Sequence, residues 1–463
     1  MFSDKTYIQR RKALAGAMQS GLVLLLGNDE SPMNYAGNPY PFRQDSSFLY
    51  YIGHDVPGLA AVIDTESGEA WLFGDDFTVD DIIWMGPQET MAQKAQKSGL
   101  TGARPMAELA GLINKAKGSG RDVHYLTQSR DGNRLKIQRL LGIAADEVNA
   151  KVSLKLVKAV VEQRNIKTAE EVAEIEKALD ISYDMYRLAM RTTQPGMLEQ
   201  EIYGAIEGYV LARGSHVSFP VIFSVHGETL HNHKHGNLMQ DGQLLVLDSG
   251  AESPCYYASD ITRSYPVNGT FTPAQRDIYE IVLKAQVETI SMYKPGLFNR
   301  DIHLEAAKII ATGLKDLGFM KGNVDDAVAA GAHALFFPHG LGHMMGLDVH
   351  DMEDLGENLV GYDENVKRSD QFGLAYLRFA RELKAGHVFT VEPGCYFIPE
   401  LMDMWKAENR HAEFINYDKV FSFRNFGGVR IEDDLLVTET GHRVLGKPIA
   451  KTVADVEAWC KGE

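Results

Sequence analysis

Between residues 168 and 440 the pattern of apolar and polar positions runs through one programme twice. Thr168 and Glu171 form a capping box at the start of a helix, and Val172, Ile175, Leu179, Tyr183 and Tyr186 fall on one face of it. A second helix carries Ile202, Ile206 and Val210 and stops near Gly214. Three strand-like runs follow, VSFPVIFSV, QLLVLDSGA and YASDITRSYPV. Helices then return: Thr272 and Gln275 make another capping box with Pro273 at the first helical position, and a further helix covers residues 302–317. The strand-like runs HVFTVEPGCYFI and GGVRIEDDLLVTE close the programme. A structural duplication and a chance recurrence within an α+β domain both fit this pattern.

Upstream the chain reads as mixed α/β. LVLLL (22–26) and FLYYIG (48–53) have the look of strands, and GLAAVIDTESGEAWLFGDD holds two strand-like runs about a Glu66-Ser67-Gly68 turn, a hairpin signal. The basic, apolar stretch KVSLKLVKAVVEQRN (151–165) marks the boundary, which gives a smaller N-terminal domain of residues 1–160 and a larger domain of residues 161–463. A chain of 463 residues is expected to hold at least two domains.

Composition narrows the function classes. The apolar fraction of 44% and charged fraction of 24% are those of a soluble globular protein. A net charge of -16 argues against nucleic acid, whose phosphates need basic patches, and against a polybasic membrane surface. No run approaches the roughly 20 apolar residues of a membrane span. The three cysteines, Cys255, Cys395 and Cys460, form no CxxC pair, so a reducing, cytoplasmic compartment is expected.

Four acids are embedded in apolar, strand-like runs: Asp248 in LLVLDSG, Asp260 in YASDITRSYPV, Glu392 in VFTVEPG and Glu432 in GGVRIEDDLLV. Buried carboxylates are costly unless paired or bound to metal. Arg263 and Arg430 are the only embedded cations close by, so a pair of divalent ions answers the charge problem better. The segment FFPHGLGHMMGLDVHD adds His339, His343 and His350. His339 and His343 have the spacing of a zincin helix, but the glutamate that should follow the first histidine is Gly340, and Gly340 with Gly342 makes a helix costly. A glycine-rich loop that brings backbone close to a site fits better. Four carboxylates and one imidazole suit manganese, cobalt or zinc. Two such ions about 3.5–4 Å apart would make a water nucleophilic near neutral pH.

The ordered motifs LHNHKHGNLMQDGQLLVLDSGAE, YASDITRSYPVNG, FFPHGLGHMMGLDVHD, VFTVEPGCYF and GGVRIEDDLLVTETG resemble those of the pita-bread metallopeptidases, the fold of methionine aminopeptidase, aminopeptidase P and prolidase. The upstream stretch PFRQDSSFLYYIGHDVPG is similar to the domain that precedes the catalytic half in aminopeptidase P and prolidase. The resemblance implies an α+β protein: a C-terminal pita-bread (creatinase/aminopeptidase) fold behind a mixed α/β domain. It implies that Asp260, His343, Glu392 and Glu432 hold one metal and Asp248, Asp260 and Glu432 the other, typically manganese. It makes Glu392 the proton shuttle, and gives His231, His339 and His350 roles in binding substrate or steadying the tetrahedral intermediate. Arg430, two residues before Glu432, shares its strand face and is expected to orient it. One departure stands out: Asp248 and Asp260 are twelve apart, where the family pattern is usually eleven. A bulge or a longer turn near Ser253-Pro254-Cys255 would absorb the extra residue.

Within the resemblance the Xaa-Pro dipeptidases are favoured. Glu392 and Glu432 are forty residues apart across a long insertion, as in prolidase. Arg378 in LRFARELKAG matches the prolidase arginine that clamps the dipeptide's carboxylate, for which a bidentate guanidinium is the expected chemistry. The alternative is an Xaa-Pro aminopeptidase acting on longer peptides. Family members are often homodimers or tetramers in which the N-terminal domain shapes a neighbour's active site. Creatinase, a metal-free hydrolase on this fold, and non-catalytic pita-bread binding modules are rivals that lack the ligands. All five ligands are present here.

Overall fold

The computed structural model describes all 463 residues and divides into two compact units, one of Met1–Arg164 with Met352–Leu359, the other of Asn165–Asp351 with Val360–Glu463. The first unit is built on a five-stranded mixed sheet in the order β4-β3-β2-β1-β5, made of β1 (Leu22–Leu26), β2 (Ala60–Asp64), β3 (Ala70–Phe73), β4 (Gly102–Arg104) and β5 (Val123–His124). Leu22, Leu24 and Leu26 alternate onto one sheet face, where they meet Ile113, Ile137 and Val148. The helices of this unit are α1 (Asp4–Met18), α2 (Ser46–Ile52), α3 (Val79–Met85), α4 (Met91–Lys97), α5 (Leu109–Gly118), α6 (Asp131–Leu141) and most of α7 (Leu154–Asn165).

The β2–β3 hairpin forms about the Glu66-Ser67-Gly68 turn, with Gly68 at φ 77°. The run FLYYIG is not a strand. It lies in α2, because Asp45 caps the Phe48 N–H at one end and Gly53 adopts the left-handed conformation at the other. Every residue of α2 is buried, so its composition shows the aromatic content of a core strand and no amphipathic period.

The second unit follows the doubled programme. Helices α8 (Ala169–Thr192) and α9 (Glu199–Leu211) precede the antiparallel sheet β6 (Ile222–Ser224), β7 (Leu244–Ser249) and β8 (Ile261–Pro266). Helices α10 (Pro273–Met292), α11 (Asn299–Asp316) and α12 (Val324–Ala330) come next. The short α13 (Glu357–Val360) falls mostly in the first unit, and the second resumes with β9 (Val388–Val391), β10 (Gly394–Tyr396), α14 (Pro399–Ala407), α15 (Tyr417–Phe421), β11 (Gly428–Arg430), β12 (Asp433–Val437), β13 (His442–Val444) and α16 (Val453–Lys461). Strands β9, β12 and β13 form one antiparallel sheet with β12 in the centre, and β10 pairs with β11. The capping boxes at Thr168 and Thr272 are both formed. A bridge between Thr262 and Glu432 joins the two halves of the programme where the acids cluster.

Candidate metal centre

The four embedded acids and His343 converge on one cavity of about 790 Å³, which His231, His339, His350, Arg378 and Arg430 also line. Each of the four acids stands near a strand end. Asp248 is the penultimate residue of β7, Asp260 precedes β8, Glu392 follows β9 and Glu432 lies between β11 and β12. Strand ends suit ligands, since the ladder fixes the backbone while the side chain escapes the sheet.

The twelve-residue spacing of the aspartates is taken up without a bulge. The pairing that sets Leu244 opposite Pro266 and Asp248 opposite Thr262 continues to Glu252 opposite Ala258, so no bulge interrupts it. Tyr256, at φ 68°, closes the turn. An even spacing under this register leaves both aspartates on the same face of the hairpin.

His343 arrives on the glycine-rich loop, which is not helical over 336–351. A Cβ on Gly342 would lie 1.9 Å from the Thr390 carbonyl oxygen, so only glycine lets this loop dock on β9. Thr390 N–H then donates to the His343 carbonyl at 3.0 Å. The His343 Nδ1 lies 3.1 Å from the Met344 carbonyl. Donation there leaves Nε2 with its lone pair facing Asp260 Oδ2 at 3.3 Å and Glu392 Oε1 at 3.9 Å. Burial pushes the imidazole well below its ordinary pKa, which keeps it neutral.

The donor set fits divalent cations. Ligand atoms of Asp260, His343 and Glu432 all lie within 4.8 Å of one another. Asp248 Oδ1 and Asp260 Oδ1 are buried and have no hydrogen-bond partner. Burial, then repulsion from Glu432, drives the Asp260 carboxyl well above the usual carboxylate range. Glu432 is driven up by burial and by Glu392, and burial lifts Glu392 to about 7. Carboxylates that resist ionisation for want of positive charge are what a cation site looks like to its own side chains. Arg263 does not relieve them. It is turned away to Asp433 Oδ1 at 2.6 Å and to the Ala450, Ile449 and Glu432 carbonyls.

Arg430 does reach the cluster. Its Nη2 donates to Asp248 Oδ2, its Nε to Thr262 Oγ1 at 3.1 Å and its Nη1 to Tyr396 Oη at 2.9 Å. Thr262 Oγ1 in turn donates to Glu432 Oε2 at 2.7 Å. Tyr396 Oη lies 2.9 Å from His339 Nε2, while His339 Nδ1 is 2.8 Å from the Gly340 carbonyl and 3.9 Å from Glu392 Oε2. The His350 ring packs edge-on against His343 at 4.2 Å. Thr262 and Tyr396 went unnoticed in the sequence. The available signal for Tyr396 was Gly394, two residues before it, where a Cβ would lie 2.3 Å from the tyrosine hydroxyl; Gly428, where a Cβ would lie 2.4 Å from the ring, faces Tyr396 only through the β10–β11 pairing.

A fold of two antiparallel half-programmes that close on a carboxylate-rich cavity defines a metallohydrolase scaffold, and the comparisons agree. Residues 173–439 match the model of metallopeptidase family M24, and residues 7–124 match the aminopeptidase P N-terminal domain. The chain is 34% identical to the Xaa-Pro dipeptidase of Homo sapiens over 96% of its own length and 90% of the relative's. It is 31% identical to the Xaa-Pro aminopeptidase of Escherichia coli (strain K12), with 98% and 97% covered. A substrate complex of an Escherichia coli aminopeptidase P variant superposes with a TM-score of 0.81 at 30% identity, covering 100% of this chain and 99% of that one. Proline aminopeptidase P II from Yersinia pestis gives 0.81 at 28%, with both chains fully covered. The chain belongs to metallopeptidase family M24 and has the pita-bread fold with an aminopeptidase P-type N-terminal domain.

Proposed function

We propose that this protein is a two-metal exopeptidase that hydrolyses the bond between a residue and a following proline, with Xaa-Pro dipeptides as its main substrates. The observation that carries the reading is the meeting of Asp248, Asp260, His343, Glu392 and Glu432 in one cavity with Arg378. Those five side chains would hold two divalent ions, with Asp260 and Glu432 shared. Manganese is the favoured metal, and cobalt and zinc suit the same donors. Such ions, when bound, polarise a carbonyl and make a water nucleophilic at neutral pH.

The chain's own groups do the rest. Arg378 receives the proline carboxylate as a bidentate clamp and fixes the dipeptide's register. His231 and His350 offer ring N–H groups where charge develops on the carbonyl oxygen. His339, held between Gly340 and Tyr396, steadies the Glu392 side of the site. Glu392 takes a proton and passes it to the leaving proline nitrogen. Arg430 holds Asp248 and, through Thr262, Glu432.

A second reading, an Xaa-Pro aminopeptidase acting on longer peptides, is favoured by the full-length match to the Escherichia coli Xaa-Pro aminopeptidase. The test compares Gly-Pro and Ala-Pro with an Xaa-Pro-Yaa tripeptide under manganese. Faster cleavage of the dipeptides is expected, and preference for the tripeptide overturns the dipeptidase reading. Loss of cleavage in Glu432→Ala is expected in either case.

The protein is proposed to act as a homo-oligomer, a dimer or tetramer. Supporting this, α3 buries none of its residues and presents Val79, Ile83, Trp84 and Met85 to solvent, with Trp84 84% exposed. A second copy of the chain is the proposed cover. A cytoplasmic location is proposed because the three cysteines form no CxxC pair in the sequence. No helix is long and apolar enough to cross a membrane.

A further inference from the structure

Helix α8 grips the hairpin that carries both aspartates through two hydroxyls one turn apart. Ser182 and Tyr186 are four residues apart on one helix face and both are fully buried. Ser249 N–H donates to Tyr186 Oη at 3.2 Å, and Tyr186 Oη donates to the Ile261 carbonyl. Ser249 and Ile261 face each other in the β7–β8 ladder. They are the residues directly after Asp248 and Asp260. One phenol thus ties together the two strands where the two acids emerge. Ser182 Oγ lies 2.9 Å from Ser259 Oγ, which accepts the Ala251 N–H at 3.0 Å. Asp260 is therefore held on both sides, through Ser259 and through Ile261.

The tie answers a physical need. The carboxyl groups of Asp260, Asp248, Glu392 and Glu432 crowd one cavity, where like charges repel one another. Repulsion favours splaying of the hairpin end, and each ångström of splay moves two ligands off the geometry that two closely spaced ions require. The ladder pair beside the two acids is Ser249 with Ile261, and past it the pairing narrows to the isolated bridge of Glu252 with Ala258. Packing against a 24-residue helix transfers the load to the core.

We infer that Tyr186, assisted by Ser182, is a positioning residue of the metal centre, which sets the separation of Asp248 and Asp260 before metal arrives. The inference rests on the two-metal reading above. A buried phenol that only fills space would show itself in stability; a positioning phenol shows itself in metal affinity. The experiment titrates the metal-free full-length protein with manganese, follows free ion by electron paramagnetic resonance, and records the thermal midpoint of each metal-free variant. Tyr186→Phe is expected to raise the manganese Kd about 10-fold or more, the range seen when groups behind metal ligands are removed.

Tyr265→Phe is the control. It removes a different fully buried phenol, carried by β8 of the hairpin itself, whose Oη meets Thr193 Oγ1 at 3.1 Å. Its Kd is expected to stay within about twofold of wild type. A folded Tyr186→Phe protein with a Kd within about twofold of wild type overturns the inference, as does an equal weakening by Tyr265→Phe. Ser182→Ala decides the matter if Tyr186→Phe does not fold: a Kd raised at least threefold supports the tie, and an unchanged Kd overturns it. Cleavage of Gly-Pro by the same wild-type preparation tests the peptidase reading separately, so the two failures are distinguishable.

Discussion

Asp248 faces Thr262 across the β7–β8 hairpin, and Thr262 alone links that hairpin's acids to Glu432 by both backbone and side chain. Its hydroxyl donates to Glu432 Oε2 and accepts from Arg430 Nε, while its carbonyl takes the Glu432 N–H at 3.0 Å. Thr262→Val keeps the shape and the backbone bond but strands a buried carboxylate oxygen and a guanidinium N–H. We expect metal affinity to fall about 10- to 100-fold, with peptidase activity restored by excess manganese. Isothermal titration of the metal-free variant checks this. Unchanged affinity would remove Thr262 from the account.

Tyr396 is the only link between Arg430 and His339 in the network, at 2.9 Å from each. Tyr396→Phe retains the ring that Gly394 and Gly428 accommodate. The expected outcome is a kcat lower by on the order of 10²-fold, comparable to losing a donor at a developing charge, with KM changed much less. A drop confined to KM would place Tyr396 in substrate binding instead.

Lys167 and Asp351 form a buried ion pair at 2.8 Å, each side chain 1% exposed. Asp351 follows His350 directly and its backbone N–H bonds the Met344 carbonyl at 2.9 Å, so the pair ties down the loop that carries His343 and His350. Lys167→Met leaves a buried carboxylate without its cation, a change worth about 3–5 kcal/mol. Urea unfolding should show that loss, and the double variant Lys167→Met with Asp351→Leu should recover part of it. An unaffected midpoint in the single variant would contradict the assignment.

His303 is fully buried against Phe337, and burial holds its pKa down at about 3. The unfolded chain protonates this residue near 6.5. Between about pH 6.5 and pH 3 the unfolded state therefore binds a proton that the folded state refuses, and stability falls as the pH is lowered through that window. His303→Leu should reduce the slope of stability against pH by about 1.4 kcal/mol per pH unit there, whatever it costs at neutral pH. Urea midpoints at pH 7.5 and 5.5 give the comparison. Equal slopes for variant and wild type would mean that His303 is charged when folded.

Much of the catalytic unit was legible because its signals are local and redundant. Capping boxes mark Thr168 and Thr272, glycines mark the histidine loop, and acids stand out in apolar strands. The resemblance then ordered the ligands. What stayed hidden depends on contacts distant in sequence. Arg263 and Arg430 look alike as strand arginines. Only the fold sends Arg263 to Asp433 and Arg430 to Asp248, each across roughly 170 to 180 residues. Tyr186 reads as one more apolar position on α8, since a hydroxyl aimed at strand carbonyls leaves no periodic trace. FLYYIG misled because a helix buried on every side shows no polar face, and its caps, Asp45 and Gly53, lie just outside the run.

The central claim is that five side chains hold two ions that are required for Xaa-Pro hydrolysis. Its most direct test is to strip the protein of metal, add manganese in steps, and measure bound ion per chain and Gly-Pro cleavage on the same samples. No cleavage is expected without metal, activity should saturate as binding reaches two ions per chain, and Glu432→Ala should lose both. Full cleavage by the metal-free protein, or an active Glu432→Ala variant, would contradict it.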